Sequence, residues 1–360
     1  MAAYHGTFEN IWSRTASEET LLLNNIYQTS PSSATLIFGI IQTIMGPVAI
    51  VANGIVIYAI WKDPFKTLRS SPSNILIASM ATCDVLVGLV CTTSQAILFF
   101  GAYTKSIGLT IFWIPIAFSI GVLLIGVSMF HILALTIDRV IAVVDPLRYK
   151  SRVTKSKMFA CTLLIWGFFI FLILIRIPLQ NHFYVHLLLV NLTFHIAIII
   201  ETVLSLFIIL EVWKQTRNLK KKSLISVTFL RNKKTTKSIL LILFIFKACF
   251  TPIFVADSVI LACSACHSHL SVISTILCLS LVLTHVNSCL NPFLYAFRLP
   301  KFRKPVALIA KQLFCCRRHS KVYNDHTLED LNANYKVKHS KERLNAVNVE
   351  PANTFVDTRL

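Results

Sequence analysis

Acidic residues are scarce in this chain: 16 Asp and Glu stand among 360 residues, against 35 Lys and Arg. Charged residues of both signs make up 14% of the sequence, whereas a soluble domain carries roughly a quarter. That excludes one water-soluble domain. Glycine is also scarce, at 10 residues, which excludes collagen-like and glycine-rich repeat chains. A disordered chain needs low hydrophobicity, and 55% hydrophobic residues exclude it. The stretch from Met1 to Ser33 reads as polar and lacks an apolar h-region, so no signal peptide is expected there.

What the chain has is long apolar runs. They are Thr35 to Trp61, Ser73 to Phe100, Ile107 to Ile141, Met158 to Pro178, Tyr184 to Trp213, Ser238 to Cys263 and Leu270 to Phe297. A bilayer core needs roughly 20 apolar residues per helix, while barrel strands would be about 10 residues of alternating pattern. The expectation is an all-α membrane protein, a bundle of seven transmembrane helices. Pro47, Pro115, Pro252 and Pro292 lie inside runs and mark kinks. The longest connection is Lys214 to Lys237.

The positive charges sort by side. Of the 35 Lys and Arg, 24 fall in alternate connections and just after the seventh run, whereas the opposite side has Arg14, Lys105 and Arg176. The positive-inside rule then puts the N-terminus outside and the C-terminus in the cytosol. The charge fixes topology and meets anionic lipid; it is not a nucleic-acid face. Four units follow: an extracellular tail over residues 1–34, the bundle over 35–297, a juxtamembrane amphipathic helix over 298–316 and a cytosolic tail over 317–360.

Polar residues within spans are expensive and mark function. The first run holds Asn53-Gly54, and the second holds Ala78-Ser79-x-Ala81-x-x-Asp84. The third closes with Asp138-Arg139-Val140, followed by Asp145-Pro146-Leu147. Trp166 sits in the fourth, Phe250-Thr251-Pro252 in the sixth, and Asn291-Pro292-x-x-Tyr295 in the seventh. Taken in order, these motifs resemble the rhodopsin-like (class A) G protein-coupled receptors from Thr35 to about Cys316. The stretch Lys301 to Phe314 is similar to the family's short amphipathic eighth helix.

The resemblance implies a plasma-membrane receptor that passes an extracellular signal to a heterotrimeric G protein as the sixth helix swings outward, with arrestin and a receptor kinase as further partners. It implies a coupling switch made of Asp138, Arg139, Pro146, Leu147, Phe250, Pro252, Asn291, Pro292 and Tyr295. It implies a sodium-binding polar core at Asp84, with Asn53, Ser128, Asn287, Ser288 and Asn291 around it. The rival for that core is a water-filled cluster with no functional ion. Cytosolic Cys315 and Cys316 are candidates for palmitoylation.

Several departures from the family pattern are informative. Val140 replaces the usual Tyr, and Phe250 the usual Trp. No acid opens the sixth helix, where Asn232, Lys233 and Lys234 stand, so a resting lock from Arg139 to that helix is not expected. Ile114 occupies the place of the family's third-helix Cys, and the second outer loop has no Cys. Melanocortin, cannabinoid and lysophospholipid receptors share this lack, and in overall pattern the chain resembles the melanocortin, cannabinoid, lysophospholipid and adenosine-type branch most. Cys263 and Cys266 form an outer pair that is open to three readings: a disulfide, free thiols, or a metal site with His267 and His269.

Gly121 stands where amine receptors hold an acid, which argues against an aminergic ligand. Ser94, Ile114 and Phe118 stand where melanocortin receptors hold theirs. A small-molecule, lipid, nucleoside-like or peptide ligand remains, with Asp257, Gly121 and Phe118 as pocket candidates. Glu201 and Lys247 are expected to pair as a structural bridge, and His131 to meet Trp166 between helices. Rival functions are a non-signalling or constitutively active receptor-like protein and a transporter, which would show inverted repeats. A photoreceptor needs a lysine on the seventh helix, and Leu270 to Phe297 has none. An enzyme is not expected.

Overall fold

The structure is a computed structural model, and it describes residues 18–175, 183–221, 227–262, 270–298 and 300–314. Cys263, Cys266, Cys315, Cys316 and the side chain of Asp257 lie outside what is described.

Backbone polar groups find no water in a bilayer core, so each spanning segment must satisfy its own as a helix. Among the described residues, six helices are long and apolar enough to cross. They are Ser32–Lys62, Asn74–Tyr103, Ile107–Val144 and Lys155–Leu174, with Leu188–Asn218 inside helix Phe183–Lys221 and Ser271–Ala296 inside helix Leu270–Arg298. The sixth in chain order is helix Val227–Ala262, whose apolar stretch Leu240–Ala256 is shorter. The outer faces of these helices carry exposed Ile44, Leu164, Ile199 and Leu210, a surface suited to lipid.

Small residues let the helices approach closely. The first and second spans cross at Gly46 and Gly88; a β-carbon on Gly88 would stand 2.8 Å from the Gly46 carbonyl oxygen. In the second span the α-helix opens into a π segment, Val87–Cys91, before resuming at Thr92. At the cytosolic end of the first span, Asp63 ends the helix in a left-handed conformation (φ 39°, ψ 61°). Its carboxylate accepts the backbone N–H groups of Thr67, Leu68 and Arg69, each at 2.9 Å, which folds the first cytosolic turn around one acid.

Two elements differ from the sequence reading. The stretch read as a polar tail contains a helix, Glu18–Thr29, and the first span starts at Ser32. That helix buries Ile26 and Tyr27, with Leu23 half-buried, at the i, i+3, i+4 spacing of a single face. The connection read as Lys214 to Lys237 is mostly helix, because the fifth and sixth spans run on to Lys221 and from Val227. The juxtamembrane helix Pro300–Phe314 turns Phe302 and Ile309 inward and sets Phe302 against Tyr295, ring centroids 6.1 Å apart.

Candidate coupling and ligand sites

At the cytosolic end of the third span, four side chains close on one another. Arg139 donates from Nε to Asp138 Oδ2 at 2.9 Å, and its Nη2 also contacts that oxygen. Ser73 Oγ, at the foot of the second span, donates to Asp138 Oδ2 at 3.0 Å. Tyr149, from the short helix Tyr149–Arg152, donates its hydroxyl to Asp138 Oδ1 at 2.8 Å. Arg139 Nη2 in turn reaches Ser73 Oγ at 3.3 Å and the Tyr149 oxygen at 3.2 Å. Asp138 is buried, and a buried carboxylate needs this many donors. Burial raises the Tyr149 phenol above its ordinary value, so it stays a proton donor to Asp138. Ser73 was not singled out in the sequence, and Tyr149, which closes the stretch Asp145-Pro146-Leu147-Arg148-Tyr149, was given no role there.

Deeper in the bundle, Asn291 Nδ2 donates to Asp84 Oδ2 at 2.9 Å. Asn53 Nδ2 donates to the Ser288 carbonyl at 2.9 Å, tying the first span to the seventh. Among the described residues, four buried oxygens there have no partner: Asp84 Oδ1, Asn53 Oδ1, Asn287 Oδ1 and Asn291 Oδ1. Ser128 is the exception to the expected set, because it donates to Cys83 Sγ at 3.4 Å.

Toward the outside lies a cavity of about 120 Å³. Its wall is mainly apolar and includes Gly121, Phe118, Ile114 and Phe254, with Gln95, Asn191, His285 and Tyr27 as polar members. Gly121 and Phe118, two of the pocket candidates, stand in this wall. Gln42 Oε1 accepts from His285 Nδ1 at 2.9 Å, which fixes the ring and leaves Nε2 as the acceptor of a side chain on the cavity wall. No Asp, Glu, Lys or Arg lines it among the described residues.

The model of the seven-transmembrane receptor, rhodopsin family, matches residues 52–185 and 175–295, more than half of the chain. The chain belongs to the rhodopsin family of seven-transmembrane receptors. It is a receptor and not an enzyme, and a multi-pass membrane protein. Among its relatives are the adenosine receptors A3 of Ovis aries, 24% identical over 317 residues, and of Canis lupus familiaris, 25% identical over 303. The two alignments cover 81% and 77% of this chain, and 95% and 91% of those proteins.

The remaining residues of the switch that the resemblance implies divide between core and surface. Phe250 is buried and stacks on Phe246, centroids 4.2 Å apart, one helical turn toward the cytosol. Tyr295 is buried with its hydroxyl on Met80 Sδ at 3.7 Å, turned toward the second span. Pro146 and Leu147 stand free on the cytosolic face, Leu147 at 94% exposure. Glu201 and Lys247 pair, Oε2 to Nζ 2.8 Å, with Ser205 donating to Glu201 Oε1 at 2.8 Å. His131 and Trp166, expected to meet between helices, share no hydrogen bond. The indole N–H goes to Ser79 Oγ at 3.0 Å, and His131 Nδ1 bonds the Val127 carbonyl of its own helix. A hydroxyl two helices away satisfies the indole better than another aromatic ring does.

Proposed function

We propose that this receptor carries the signal of a small uncharged ligand across the plasma membrane to a heterotrimeric G protein, with Arg139 as the residue that engages the G protein. The observation that carries this is the closed cluster of Ser73, Asp138, Arg139 and Tyr149. It holds a guanidinium at the cytosolic rim on one carboxylate, in an arrangement that a partner's acceptors can exchange for their own. Exposed Pro146 and Leu147 beside it offer an apolar contact. Arrestin and a receptor kinase would approach the same face.

For the ligand we infer the nucleoside class. The relatives are named adenosine receptors, and the cavity suits such a molecule chemically. Phe118 and Phe254 offer flat apolar surface for a base, while Gln95, Asn191 and His285 offer polar groups for hydroxyls. The absence of charged residues from the described wall disfavours amines and phosphates.

The test is nucleotide exchange on purified G proteins by receptor in nanodiscs, across a panel of nucleosides, lipids and peptides. Arg139→Ala is expected to lose at least about tenfold of the exchange rate, the scale of one charge-assisted interaction made in the productive complex. Equal exchange in native receptor and Arg139→Ala, with every ligand and with none, overturns the coupling reading. A response to lipids or peptides alone overturns the nucleoside reading.

The polar core fits a sodium ion. A hard cation takes oxygen ligands, and the unpartnered oxygens of Asp84, Asn53, Asn287 and Asn291 are such donors. Bound there, the ion would neutralise Asp84 and hold the first, second and seventh spans together. Sodium in place of potassium at equal ionic strength is expected to lower ligand-free exchange in the native receptor and leave Asp84→Asn unchanged. The same sodium response in both variants overturns it.

A further inference from the structure

We propose that the N-terminal helix Glu18–Thr29 is the lid of the ligand cavity and supplies part of its wall. This rests on reading that cavity as the ligand site and adds the element that closes it.

Two faces of the helix do the work. Leu23 and Tyr27 line the cavity itself. The Tyr27 hydroxyl donates to Oε1 of Gln95, another wall residue, at 2.8 Å, and the ring meets Phe99 edge-on at 5.6 Å. Around this anchor, the helix bonds to the outer ends of the bundle. Thr110 Oγ1 donates to Asn24 Oδ1 at 2.6 Å, and Lys105 Nζ donates to the Gln28 carbonyl at 2.9 Å. Thr29 Oγ1 lies 2.9 Å from Ser274 Oγ on the seventh span, and Ser30 Oγ lies 3.6 Å from Cys278 Sγ. Asn24, Ile26, Tyr27 and Ser30 are all buried.

Among the described residues, Leu23 and Tyr27 are the lining residues that come from outside the spans. Only eight residues, 175–182, separate the helices Lys155–Leu174 and Phe183–Lys221. The N-terminal helix joins the first span through Ser30 and Pro31, so two residues tether it to the bundle. Its hold is a set of hydrogen bonds and two or three apolar side chains, far less than any span has, which places it at the low-stability end of the molecule. A ligand arriving from outside passes when this helix lifts, and is retained when Tyr27 returns to Gln95.

Two native thiols sit under the helix and report on it without any ligand. Cys91 lines the cavity, and Cys278 touches Ser30. In a receptor with Cys263→Ser and Cys266→Ser, a membrane-impermeant cationic methanethiosulfonate is added to intact cells, and labelling of each cysteine is followed by peptide mass. Asn24→Ala with Tyr27→Ala is expected to speed labelling of both thiols about tenfold, the effect of two lost buried hydrogen bonds. A second variant covers poor folding of the first. Thr29→Cys with Ser274→Cys puts two thiols within reach of a disulfide, and its oxidised form is expected to label more slowly than the native lid, with reduction restoring the rate. Labelling at one rate in the native lid, the loosened variant and the crosslinked variant overturns the lid, whatever the ligand proves to be.

Discussion

Glu201→Ala is expected to lower the stability of this receptor by about 3 kcal/mol, the lower part of the range for removing one partner of a buried ion pair. Glu201 is buried at 4% exposure, and its two carboxylate oxygens are taken by Lys247 and Ser205. Removing it strands an ammonium among the fifth and sixth spans. Lys247 keeps 24% of its side-chain surface exposed, so part of that penalty is relieved by solvent or lipid headgroups. The measurement is the melting temperature of purified receptor, completed as a double-mutant cycle with Lys247→Met. Glu201→Leu combined with Lys247→Met is expected to recover most of the loss, because an apolar pair replaces a charged one without an orphan. A double variant as unstable as Glu201→Ala alone would show that the pair is not the cause.

The pair also bears on signalling. Lys247 lies three residues on the cytosolic side of Phe250, on the helix that swings in the proposed activation. The sixth helix begins without an acid for Arg139, so this bridge to the fifth span is its ionic restraint among the described residues. Glu201→Ala is therefore expected to raise ligand-free exchange in the receptor that does fold.

Gly126→Ala is the second large effect, expected to cost about 1–3 kcal/mol as an overpacked core position. A β-carbon at 126 would overlap Cε1 and Cδ1 of Phe169. That ring has no exposed surface and is walled by Phe130 at 5.0 Å, Phe168 at 5.1 Å and Phe194 at 6.2 Å, centroid to centroid. It has nowhere to turn, and the third and fourth spans must part instead. Surface expression and melting temperature are both expected to fall. Phe169→Leu, which removes the overlapping ring atoms, is expected to restore part of the loss when combined with Gly126→Ala. An unchanged melting temperature in Gly126→Ala would mean the two spans separate at no cost.

The sequence showed best what the bilayer dictates. A span must be apolar for about 20 residues, so the runs around Asp84, Arg139 and Asn291 declared themselves, and the Glu201–Lys247 pair followed from the cost of lone charges in a low dielectric. Where water is available, that constraint lapses and the reading fails. The N-terminal helix hides Leu23, Ile26 and Tyr27 among polar residues, and the helix ends past Trp213 and before Ser238 are lysine-rich, so apolarity does not mark them. Ser73 and Tyr149 join the Asp138–Arg139 cluster only because a cytosolic turn brings them there, 65 residues before and 11 after Asp138. Gln95 stands in the cavity wall, and nothing in the sequence singled it out.

The π segment Val87–Cys91 lies between Asp84 and Gln95. Each residue of an α-helix turns the chain by about 100°. Gain or loss of a single residue in this segment re-aims everything outward of it by roughly that angle, while Asp84 stays against Asn291. The segment works as a swivel joint within one continuous helix. A lineage can exchange the residue that its second span shows to the ligand by one insertion or deletion there, and leave the machinery that faces the cytosol untouched.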